Sequence, residues 1–430
     1  MLVAGCGLSG TQATGAPSTG APAASASTGQ ASSGPASIVY WSHEYDPRIE
    51  LDKELIAEFS AANPEITVKY ETFPYEDYET KVFTAIAGGT GPDLFNLFTS
   101  RMGEAVSSGS VVPIDFAAMG LDGEQAFRDQ YADGSLDLYT FDGKLYAVPT
   151  EVSNMALYVN QDRLREAGLD PASDTPSTWE EVRDVSTKLV ERQGEQLAKR
   201  GFEFTYGVDI DNSVLTFESM AKQLGGGIVD ADGKVIIDQP PAVQALQYWY
   251  DWVYKDKLGD PALPAAGDSF CDGSVAMTTV ASWFRLSLEG DCPDVAKQVS
   301  IVPFPRFANG TNDSGAFFYG YGELVNAASP PAEQQAAWKL AAFLASRPAE
   351  YLARTALLQP RKELSEPGAL DDVPFGDVFY NEMQTSTYDR LSFETWEAVQ
   401  RAIERSTQSK IPPAESLKEA KGEVEQILAR

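Results

Sequence analysis

The sequence predicts an α/β protein of two lobes, each a mostly parallel sheet flanked by helices. Two observations carry this expectation. At 430 residues the chain exceeds what one hydrophobic core ordinarily supports. Its folded part also alternates short β-branched runs with helical periodicity, the pattern of strands joined by helical crossovers.

The alternation opens at Ile38-Val39-Tyr40-Trp41, a short strand. Leu51, Leu55, Ile56 and Phe59 then recur at helical spacing until Asn63-Pro64 stops them. Ile66, Val68 and Tyr70 alternate as a second strand. Tyr78, Val82, Phe83 and Ile86 mark a helix ended by Gly88-Gly89, and Leu94-Phe95 begins a third strand. This βαβαβ unit implies parallel pairing, with ligands expected beyond the carboxyl ends of the strands. Trp41-Ser42-His43-Glu44 and Phe98-Thr99-Ser100-Arg101 fall there. Further on, 144–159 reads as extended, 178–192 as a helix, 204–210 as a strand and 217–224 as a helix. An aromatic-rich helix carries Val243, Leu246, Trp249, Tyr250 and Val253. Two strands (275–280 and 317–325) and a helix (336–344) follow.

Composition excludes several functions. Hydrophobic residues make up 43% and aromatic residues 11%, enough for real cores. The balance of 33 basic against 63 acidic residues gives a formal charge of −30, which repels phosphate backbones, so no nucleic-acid partner is expected. The single histidine, His43, rules out a zinc site built from several imidazoles, and no HExxH, GxSxG or GxxxxGK[ST] motif occurs. No metal, cofactor or catalytic residue is expected. Cys271 and Cys292 would be oxidised in an exported chain, or else remain as two buried thiols.

The N-terminus reads as an address. Val3-Ala4-Gly5-Cys6 is similar to a bacterial lipobox, in which small residues precede a cysteine that is acylated after cleavage. Residues 1–6 are therefore expected to be the remnant of a lipoprotein signal whose charged and apolar regions lie upstream. From Gly7 to Ser37 every residue except Leu8, Gln12 and Gln30 is Gly, Ala, Ser, Thr or Pro. Such a segment cannot bury enough apolar surface to offset its ordering entropy, so 7–37 is expected to be a tether reaching roughly 30 Å.

From about Ile38 onward the chain resembles the extracellular solute-binding proteins of bacterial ABC-type carbohydrate uptake transporters, the maltose-binding-like class. The likeness rests on landmarks in order: Leu55-Ile56-Ala57-Glu58-Phe59 with Asn63-Pro64; Gly91-Pro92-Asp93-Leu94; and Gly143-Lys144-Leu145-Tyr146-Ala147-Val148-Pro149. Leu157-Tyr158-Val159-Asn160, Ala167-Gly168-Leu169 and Thr178-Trp179-Glu180-Glu181 follow, and Gly273-Ser274-Val275-Ala276-Met277 with Ala281-Ser282-Trp283 closes the set.

The resemblance implies a periplasmic-binding-protein-like fold with strands crossing between the lobes and a sugar clasped in the cleft. Lobe 1 would be 38–148 plus 311–356, and lobe 2 149–310 plus 357–430. It also implies an exported, membrane-anchored monomer that delivers its carbohydrate to the transporter's transmembrane subunits. A sugar needs flat aromatics for its C–H face and acids, amides or arginine for its hydroxyls. Trp283 and Trp396 match positions where that class stacks aromatics, and Ser100 and Arg101 match a segment that contacts hydroxyls. That class carries an acid where Ser100 stands and a glutamate where Ser153 stands, which puts maltose itself in doubt. Further ligand-binding candidates are Trp41, His43, Glu44, Tyr75, Glu151, Asp211, Asn212, Phe318 and Tyr319. Core packing is the rival role for Trp283 and Trp396, and helix capping for Asp211. Two functional rivals remain: the same fold binding a peptide, polyamine or sugar phosphate, and an exported glycoside hydrolase using a carboxylate pair.

Overall fold

A computed structural model of the chain describes residues 35–206, 210–263, 266–311, 318–386 and 391–429. Cys6 and the expected tether up to Gly34 lie outside the described residues. Strand β1 (Ala36–His43) begins two residues before Ile38. Helix α1 (Asp46–Ala62) follows, with proline in its first turn, where a missing N–H costs nothing. Its buried face carries Leu51, Leu55, Ile56 and Phe59, and Asn63 closes it by donating to the Phe59 carbonyl. Strand β2 (Ile66–Phe73), helix α2 (Tyr75–Ala87), strand β3 (Leu94–Phe98) and helix α3 (Thr99–Ser107) complete the unit. β1 pairs in parallel with both β2 and β3, as the alternation predicts. Asp93 ties the Gly-Pro turn down by accepting from the Val39 N–H at 2.8 Å.

The molecule is organised by one long strand, β4 (Val148–Asn160), in which every residue is buried. Beyond it come helix α4 (Ile210–Gln223), strand β5 (Val275–Ala281), helix α5 (Phe284–Asp291), strand β6 (Phe318–Val325) and helix α6 (Phe393–Thr407). The first half of β4 pairs antiparallel with β6, which pairs in turn with β3; the second half pairs antiparallel with β5. β4 and β6 thus link the β2-β1-β3 side of the sheet to the side holding β5 and Gln196–Glu203. Two large cores result. One gathers Ile38, Leu55, Phe59, Leu94 and Trp338, and the other Leu157, Trp179, Phe202, Trp249 and Ile403. Two lobes around shared strands follow from this topology. Trp249 and Trp252 are fully buried in the second core, on the packing face of their helix.

Three local expectations need correction. The strand expected over 204–210 lies earlier, at Gln196–Glu203, and α4 already begins at Ile210. Phe204 and Tyr206 are instead an aromatic plug against Trp249, and Tyr206 takes φ 45°, which ends any extended run. The helix expected to reach 192 stops at Leu189, before an extended Val190, although Thr178 and Glu181 form its capping box. Leu357, Leu358 and Leu364, expected with lobe 2, pack into the first core. Ala356 turns the chain there with φ 56°, and the Leu358 carbonyl accepts from Val152 of β4.

Cys271 and Cys292 are joined by a disulfide that spans 21 residues and encloses β5 and α5. Replacing both by serine should cost about 3 kcal/mol of stability, the loop-closure value for this length. Thermal unfolding of the double variant tests this, and an unchanged midpoint would refute it. Among the described residues no helix is long and apolar enough to cross a membrane.

Candidate functional site

The carboxyl end of β1 forms one wall of a cavity of about 520 Å³ that both lobes line. His43 stands there, fully clamped by one amide. Its backbone N–H donates to Asn96 Oδ1 at 3.4 Å, so the Asn96 NH₂ faces its ring Nδ1 at 3.0 Å. This assigns the ring proton to Nε2. Burial first, and the Arg48 cation second, hold the imidazole well below its usual pKa, so it is a neutral donor. Arg48, on α1, donates to the His43 carbonyl and fixes the end of the strand from beneath.

β6 contributes Tyr319 and Tyr321, two residues apart and therefore on one face of the strand. The Tyr321 ring lies 4.5 Å from the His43 ring. Gly320 between them has no alternative: a Cβ there would collide with the Glu151 carbonyl and the Tyr139 hydroxyl. Glu151, on β4, is buried and accepts from Ser153 Oγ at 2.9 Å. Burial raises its pKa while Arg48 opposes that rise. Burial likewise pushes the Tyr319 phenol up, so it is a neutral hydroxyl.

The second lobe supplies the start of α4 and the end of β5. Asn212 Nδ2 donates to the Thr279 carbonyl at 2.8 Å, tying helix to strand. Asp211 receives the Tyr75 hydroxyl at 3.4 Å, a contact between α2 of one lobe and α4 of the other. Tyr75 is 50% exposed despite its size. Trp283 follows β5, half-buried, and its indole N–H donates to Tyr319 Oη at 3.2 Å.

Of the sequence candidates, His43, Glu44, Tyr75, Glu151, Asp211, Asn212, Trp283 and Tyr319 therefore line one cavity. Others do not. Trp41, two residues before His43 on β1, lies outside the lining, where its N–H donates to Glu71 and its ring meets Phe73. Arg101 is paired with Glu79 and Glu104, and its guanidinium lies over Phe83 and Phe393. Ser100 sits beside it, outside the lining. Ser153 lies beneath Glu151 as a hydrogen-bond donor. Trp396 is 3% exposed and packs on Phe98 at 5.6 Å. Its spacing with Val399 and Ile403 marks the buried face of α6, so core packing is its role here. The Phe318 side chain lies outside the described residues. Tyr45, Glu76, Met155, Tyr321 and Leu357 were missed as lining residues. Tyr321 could have been found from the period-two alternation with Tyr319, whereas Leu357 arrives only through tertiary packing.

Among the described residues no group of His, Cys, Asp and Glu could hold a metal ion. A cavity walled by two lobes on shared strands, rich in aromatic faces and fixed hydrogen-bonding groups, defines a site for a small solute. The chain belongs to the bacterial extracellular solute-binding proteins, whose family model matches residues 46–351.

An arabinooligosaccharide-binding protein of Halalkalibacterium halodurans is 23% identical over 64% of this chain, and the match spans 60% of that relative's length. The cyclic α-maltosyl-1,6-maltose binding protein of Arthrobacter globiformis superposes with TM-score 0.78 at 19% identity, over 92% of this chain and 99% of that one. UgpB of Mycobacterium tuberculosis, in complex with glycerophosphocholine, gives 0.76 at 20% identity, over 91% and 98%. The fold is shared, and the cavity must decide the ligand.

Proposed function

We propose that this protein captures a neutral sugar or oligosaccharide between its lobes and delivers it unaltered to the transmembrane subunits of an ABC-type transporter. On this reading it works outside the cytoplasm as a monomer, held at the membrane by acyl chains on Cys6, with no enzymatic step. The observation that carries it is the lining. Trp283, Tyr75, Tyr319 and Tyr321 offer apolar faces, Glu44, Glu151, Asp211 and Asn212 offer hydroxyl partners, and no Lys or Arg is among the described lining residues. Among those residues a phosphate group would find no cation, which counts against a sugar phosphate or phosphodiester. The acids at the rim favour one second reading, a polyamine.

Calorimetric titration with neutral mono- and oligosaccharides, spermidine and glycerophosphocholine separates these. Affinity near micromolar, about −8 kcal/mol, is expected for a sugar, which should be recovered intact. Binding of spermidine alone would replace the sugar reading with the second one, and release of shorter sugars would make the protein a hydrolase.

A further inference from the structure

Trp283 borders not one cavity but two. Beyond it lies a second space of about 570 Å³, lined by Trp283, Phe284, Leu288, Ser287, the Cys271–Cys292 disulfide and the carboxylates of Asp272 and Asp291. Like the inner cavity, it combines aromatic side chains with carboxylates. Phe284 and Leu288 are buried and supply an apolar floor, while Ser287 is half-buried and Asp272 and Asp291 stand exposed at the edge. The walls are held at fixed separation, because the disulfide joins the end of the helix Ala266–Cys271 to the residue after α5, with Cα atoms 5.5 Å apart. Trp283 itself is fixed, by its N–H on Tyr319 and by edge contact with Phe284 at 5.8 Å between ring centres.

We propose that this outer cavity is a second subsite, which takes the residues of a linear oligosaccharide that extend past Trp283 from the inner cavity. The inference rests on the sugar reading above and adds chain length to it. Because Trp283 lines both cavities, a sugar ring held against it in the inner cavity would direct its neighbour toward the outer one. The hydroxyls of that neighbour meet two carboxylate acceptors and one hydroxyl, and its C–H face meets the apolar floor. Among the described residues no cation lines this space, so a neutral chain suits it as it suits the inner cavity.

The test uses matched pairs of di- and tetrasaccharides (maltose and maltotetraose, arabinobiose and arabinotetraose, xylobiose and xylotetraose). Titrations are made on the unaltered protein, on Ser287→Trp, which fills the outer space, and on Asp291→Asn, which is exposed and should not disturb folding. In one series the tetrasaccharide should bind the unaltered protein about tenfold more tightly than the disaccharide, a difference of about 1.4 kcal/mol. Ser287→Trp should erase that gain while leaving disaccharide affinity and melting temperature unchanged, and Asp291→Asn should reduce it. Equal affinity for both lengths, or a gain that survives in folded Ser287→Trp, overturns the subsite alone. Failure to bind any of these sugars overturns the sugar reading and the subsite with it.

Discussion

Arg48→Met is expected to cost about 3–5 kcal/mol of stability at pH 8 and markedly less at pH 5.5. Arg48 is 2% exposed, and its neighbours are Asp52 at 4.0 Å and the hydrogen-bonded carboxyl and phenol groups around it. Tyr40 donates to Glu323 at 2.8 Å, and Tyr70 to Asp52 at 3.3 Å. Burial raises Asp52 to about 7, against the opposing pull of Arg48, and raises Glu323 to about 8. Unfolded carboxyls titrate near 4. Between that value and 7 to 8 the folded state therefore holds more protons than the unfolded one. The stability these groups contribute is full below about pH 4 and is lost as pH rises through 7 to 8. Without Arg48 the ionised carboxylates have no cation, so the loss at pH 8 deepens, while at pH 5.5 both are already neutral.

The lost donor to the His43 carbonyl costs the same at either pH. His43 titrates with the opposite sign: its lowered pKa penalises the fold below about 6.5. Burial, the larger cause of that shift, remains when Arg48 is removed, so this penalty is common to both proteins. Chemical denaturation of both proteins at the two pH values measures the difference. A cost that is equal at pH 5.5 and pH 8 would mean that Arg48 acts only through its backbone contact.

The first lobe was legible because its periodicities are local. Leu51, Leu55, Ile56 and Phe59 can serve only as one face of a helix, and Ile66, Val68 and Tyr70 only as one face of a strand. Reading failed where aromatic residues crowd a core from a loop, as at Phe204 and Tyr206, because hydrophobicity there reports burial and not extension. The site was half-legible for the same reason. Residues at the carboxyl ends of strands (His43, Glu44, Trp283) can be placed by topology alone, since that edge of a sheet is where ligands sit, whereas Glu151 lies within the crossing strand β4. Trp396 and Arg101 share that neighbourhood in sequence pattern, yet α6 and α3 turn them into Phe98 and Glu79. Helical phase and salt-bridge choice depend on elements distant in sequence, and periodicity does not encode them.

Trp283→Ala should weaken sugar binding by about 1–3 kcal/mol and barely change the melting temperature of the empty protein. The indole is half-buried, adjoins both cavities, and has one hydrogen bond, to Tyr319 on the crossing strand β6. A fully enclosed tryptophan such as Trp249 would cost about 3–5 kcal/mol of stability on the same truncation, because an unfilled cavity would remain. Here the space left behind is continuous with the cleft and fills with water. On the proposed reading the loss falls on the ligand-bound form, because a sugar held in the cavity with His43, Glu151 and Trp283 loses its stacking face when the indole is removed. Trp283→Phe keeps an apolar face but removes the N–H that orients it toward Tyr319, so its affinity should fall between the other two. Calorimetry and thermal melts on the three proteins read both quantities. A melting temperature lowered as for a core tryptophan, with affinity intact in the folded remainder, would assign Trp283 to packing and leave the cleft without its main stacking surface.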